Sequence, residues 1–89
     1  MTKKRRKLNK DFERKIYSSK KNVELVLAKI YDIDDEDIQK EYMSAFNRVV
    51  YLFDELKVNY ELHGFSDNSK ELLNNYENAF NLFESEFEI

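Results

Sequence analysis

The stretch DEDIQKEYMSAFNRVVYLFDELKVNYELHG, residues 35–64, decides the fold. Its apolar positions Ile38, Tyr42, Ala45, Val49, Leu52 and Leu56 alternate by four and three, and the series ends at His63. A second stripe lies one residue on, at Met43, Phe46, Val50, Phe53 and Tyr60. That spacing is the helical period. Two adjacent stripes make a wide apolar face, as on a helix packed between two neighbours. The pattern predicts a helix over 35–62, with Asp34 or Asp35 as N-cap and the neighbouring acids favoured by the helix dipole. Gly64 is placed to end it as an αL glycine.

The flanks supply the two neighbours. Asn9 is positioned to cap a helix over 9–31, with a stripe at Phe12, Ile16, Ser19, Val23, Val26 or Leu27, and Ile30. Ser66, Asp67 or Asn68 offers the N-cap of a third helix over 67–87, burying Leu72, Tyr76, Ala79 with Phe80, Phe83 and Phe87. The chain has no proline and one glycine, which disfavours hairpins that need positive φ. The expected fold is all-α, an antiparallel three-helix bundle over 9–89 preceded by a flexible basic arm over 1–8. At 89 residues its core is thin, and thirteen aromatic residues supply most of the burial.

One part of the central helix exceeds what two neighbours enclose. At about 100° per residue from Ile38, the two stripes cover roughly −40° to 140°. Tyr51, Val58 and Leu62 fall near 200° to 240°, at spacing i, i+7, i+11. Three readings follow: an end of the chain folds over this strip, the strip is scattered exposed apolar surface of no consequence, or it is an interface for a second copy or another protein.

Charge is strongly segregated. The first 21 residues carry ten cations and two acids, whereas the remaining 68 carry sixteen acids and five cations, so a net −3 conceals +8 and −11. Lys3, Lys4, Arg5, Arg6 and Lys7 form the densest run, and Lys10 and Arg14 continue it onto the first helix with Tyr17 interleaved. Such a run fits phosphate, an acidic protein face or an anionic surface. No apolar segment approaches the ~20 residues of a membrane span. Cysteine is absent, which excludes disulfides and thiolate metal sites. The expected location is the cytoplasm. Residue types with AT-rich codons (Phe, Tyr, Met, Ile, Asn, Lys) number 40 against 8 with GC-rich codons, pointing to a low-GC bacterium, phage or plasmid.

The chemistry tests are negative. Asp32, Asp34 and Glu36 begin like a calcium loop, but Asp37 stands where the turn glycine belongs and Met43 where the bidentate glutamate belongs. His63 is the one histidine, so no two-histidine metal spacing exists. Nothing marks a nucleophile elbow for it to serve, and one glycine makes no phosphate loop. The chain is expected to be a non-enzyme without cofactor, metal or small-molecule substrate. It is expected to bind protein through Tyr51, Val58 and Leu62 as a regulator, inhibitor or assembly factor. The alternative is a nucleic-acid accessory protein using Lys3, Lys4, Arg5, Arg6, Lys7, Lys10, Arg14 and Tyr17.

Overall fold

The structure is a computed structural model and describes residues 8–88. Three helices follow one another: α1 (Lys10–Tyr31), α2 (Glu36–His63) and α3 (Asp67–Glu86). Their short links make neighbouring helices antiparallel, and the fold is the expected three-helix bundle. The residues assigned to the basic arm at Lys3, Lys4, Arg5, Arg6 and Lys7 lie outside the described residues.

Each helix begins at a side chain that satisfies its free amides. Asn9 Oδ1 accepts from the Phe12 N–H at 2.9 Å. Asp35 Oδ1 accepts from Asp37 and Ile38 at 2.9 and 3.1 Å, so this carboxylate caps α2. At α3, Ser66 Oγ accepts from the Ser69 N–H at 3.1 Å while Ser69 Oγ accepts from the Ser66 N–H at 2.8 Å. That reciprocal box uses serine where glutamate or glutamine is usual. The other end of α1 is closed by Gln39, whose Nε2 donates to the Ile30 and Tyr31 carbonyls at 3.1 and 3.2 Å. These are carbonyls the helix itself leaves unpaired.

The core holds Phe12, Val23, Val26 and Ile30 of α1, Phe46, Val49, Phe53, Leu56 and Tyr60 of α2, and Leu73, Tyr76 and Phe83 of α3. An aromatic seam joins α2 to α3. Tyr42 meets Phe87 at 4.8 Å, Phe46 meets Phe83 at 4.8 Å, and Phe53 meets Tyr76 at 5.4 Å. Such tilted and edge-on pairs contribute about 0.5–1.5 kcal/mol each beyond their buried area. The start of α1 is held differently. The Tyr60 hydroxyl donates to Glu13 Oε1 at 2.9 Å and accepts from the Asn9 N–H at 3.2 Å. Phe12 packs between the Tyr60 and Phe65 rings at 5.4 and 5.2 Å.

The structure corrects several details of the sequence reading. Ile38, placed on the first core stripe, is exposed, because Gln39 is the first-turn side chain that faces α1. His63, the last member of that stripe, is also exposed, and Phe65 fills the space beside Phe12. In α3 the buried positions include Leu73 and Ser69, with Leu72 at the margin. Gly64 has the required positive φ of 74°, but its ψ of −156° places it outside αL in a region open essentially to glycine. Its N–H closes the last turn of α2 on the Tyr60 carbonyl at 2.8 Å.

Phe46 is fully buried against two α3 rings. Phe46→Ala is expected to cost about 3–5 kcal/mol, a large share of the stability of a domain of this size. Urea denaturation followed by circular dichroism measures this; a loss below about 1 kcal/mol contradicts the seam's role.

Candidate functional site

On α2 the five buried residues lie within about 80° of one another around the axis. Tyr51, Val58 and Leu62 are centred about 180° from that face. They point away from the core, and their exposures of 63%, 50% and 65% show that no described segment covers them. Of the three readings of the strip, a covering by the described residues is therefore ruled out, and the other two both fit this exposure. The three side chains line a shallow groove of 580 Å³ that continues past Asn59 to Leu72 at the start of α3. Asp54 and Glu55 form its acidic rim.

Asn59 is the unexpected member of this groove. Its Oδ1 is shut off from solvent and has no hydrogen-bond partner. A buried acceptor left in that state costs about 1–3 kcal/mol. Periodicity did not mark Asn59, because a polar residue beside a core stripe reads as surface.

The alternative site divides in two. Lys3, Lys4, Arg5, Arg6 and Lys7 are outside the described residues, whereas Lys10, Arg14 and Tyr17 share one face of α1. Lys21 completes that face at spacing i, i+4, i+7, i+11, opposite the buried Phe12–Ile30 stripe. Tyr17 is 61% exposed, with the Lys21 Nζ 5.2 Å from its ring centre. Arg14 also meets Asp11 at 3.7 Å, an exposed pair of little energetic weight.

A third concavity, of 560 Å³, runs along the seam between α1 and α3. Ser19 and Tyr76 lie at its floor, with Asn22, Lys29, Asn74 and Glu84 around them. Scattered asparagines carry no periodic signal, so the sequence did not disclose it. The Tyr76 hydroxyl donates to the Ser19 carbonyl at 3.4 Å. Among the described residues, no group of three or more His, Asp or Glu side chains is placed to hold a metal ion. None of the described helices is long and apolar enough to cross a membrane.

Burial pushes the Tyr76 phenol above the ordinary tyrosine pKa; its contact with Ser19 opposes the rise, and Glu77 and Glu84 add to it. The folded state thus holds this proton more tightly than the unfolded chain. The associated stability is intact below about pH 10 and is lost as pH rises through the folded-state value. Tyr76→Phe is expected to flatten the fall in urea stability above about pH 10. An alkaline limb unchanged by the substitution would contradict the assignment.

No protein-family model matches the chain. No curated protein matches its sequence and no solved structure matches its fold.

Proposed function

We propose that this protein is a non-enzymatic binding protein, a regulator, inhibitor or assembly factor that docks another protein on the outer face of α2. We place it in the cytoplasm, and its amino-acid composition suggests a low-GC bacterium or one of its phages or plasmids as the source. The observation that carries this reading is the orientation of Tyr51, Val58 and Leu62. Three large apolar side chains face solvent in line, about 180° from the core and beside Asp54 and Glu55. Scattered apolar residues on a surface need no explanation, but a contiguous strip with a polar rim is the anatomy of an interface.

Leu62→Asp tests this reading. The side chain touches no core residue's place, so the substitution is expected to change stability by no more than about 0.5 kcal/mol and to leave helicity intact. Full-length wild type is expected to self-associate or to retain a protein from host lysate, and Leu62→Asp is expected to weaken this. Unfolding of the variant would make the strip part of the core and end the proposal. Self-association and retention equal in both proteins would end it too.

A second reading is favoured by the shared face of Lys10, Arg14, Tyr17 and Lys21, which aligns three cations with an exposed ring. On this reading the α1 face and the basic run before it contact nucleic acid. Each phosphate neutralised lowers the logarithmic salt slope of duplex binding by about 0.9. Replacing Lys3, Lys4, Arg5 and Arg6 by glutamine is expected to abolish binding to a fluorescent duplex without changing the melting temperature. Unaltered affinity rules the basic run out as the contact.

A further inference from the structure

The two exposed faces have the same register. On α2, Tyr51, Glu55, Val58 and Leu62 stand at i, i+4, i+7, i+11 and combine apolar surface with acid. On α1, Lys10, Arg14, Tyr17 and Lys21 stand at the same spacing and combine cations with an aromatic ring. Leu25, 61% exposed, extends that face by one more turn. Both runs span twelve residues, about 16 Å of helix. Ridges at equal spacing are what two helices need to seat side by side.

Charge separates the helices in the same sense. Over Lys10–Tyr31, α1 carries six cations and three acids, whereas α2 carries three cations and six acids and α3 one cation and five acids. Within one copy the two faces cannot meet, since each points away from the core that holds its helix. The ion pairs between described residues, Arg14–Asp11 and Lys70–Asp67, each lie within a single helix and use none of this complementarity.

We propose that the occupant of the α2 strip is the basic outer face of α1 from a second copy of the same chain. The proposal rests on the strip being a docking face and names its partner. Joining unlike faces leaves one of each kind free in every pair, so the contact repeats head to tail and does not close as a symmetric dimer. Nucleic acid is a weaker fit to the α1 face, because the acidic α2 and α3 of the same molecule repel phosphate. The chain itself carries a matching acidic, apolar face.

Sedimentation velocity of the full-length protein at 50 and 500 mM NaCl tests this. At 50 mM the wild type is expected to grow beyond a dimer with concentration, and at 500 mM to return to monomer. Leu62→Lys alone, which sets a like charge against the cationic α1 face, and Lys10→Glu with Lys21→Glu alone, are each expected to remain monomeric. Mixed in equal amounts, each supplies the face the other lacks, and they are expected to form a heterodimer that grows no further. A monomeric wild type at 50 mM overturns the proposal, whether or not its α1 face then binds duplex DNA. So does a wild type that stops at a dimer, a mixture that fails to pair, or association that survives Lys10→Glu with Lys21→Glu. In any of these cases, loss of a lysate protein by Leu62→Asp still decides the docking reading separately.

Discussion

The aromatic seam between α2 and α3 is the contact on which the rest of this molecule depends. Tyr76, Phe80 and Phe83 along one side of α3, with Phe87 just past its end, interleave with Tyr42, Phe46 and Phe53 of α2. Rings that meet edge-on tolerate little sliding or rotation, so the seam sets the angle of α2 about its own axis. Once that angle is set, Tyr51, Val58 and Leu62 have nowhere to go but outward. Without the seam, a modest rotation of α2 would trade part of the strip for part of the core.

The attachment of α1 is of another kind. Its core contacts are mainly aliphatic, at Val23, Val26 and Ile30, and it approaches α2 more closely than α3. Polar links at both ends make up the difference: Tyr60 grips Asn9 and Glu13 at the start, and Gln39 holds the last carbonyls. The consequence for function is that the basic face of α1 is presented on a helix fixed at both ends. A binding face gains affinity when its side chains need little further ordering.

Much of this was legible in the sequence, because helical periodicity is a direct image of burial. The α1 stripe was readable down to the small polar Ser19, and the angular position of Tyr51, Val58 and Leu62 already placed them off the core. What escaped was decided by contacts between helices. Ile38 and Leu73 lie within one residue of their stripes' edges, and which neighbour turns inward depends on where the partner helix ends. The ψ of Gly64 depends on how directly the chain must reach the Ser66 cap. The partnerless Asn59 Oδ1 and the asparagine-lined α1–α3 groove exist only once helices are assembled, and no local pattern announces them.

The unequal holding of the three helices also bears on how the chain folds. The two links are of similar shortness, so the entropy of closing either helical hairpin is alike. Packing is then expected to decide the order, with the pairs nearest the Gly64 turn bringing α2 and α3 together first. Docking of α1 is expected last, since Tyr60 must reach Asn9 and Glu13 across 51 and 47 residues of sequence. Substitutions in α1 should therefore act chiefly on the rate of unfolding, and those in the seam on the rate of folding.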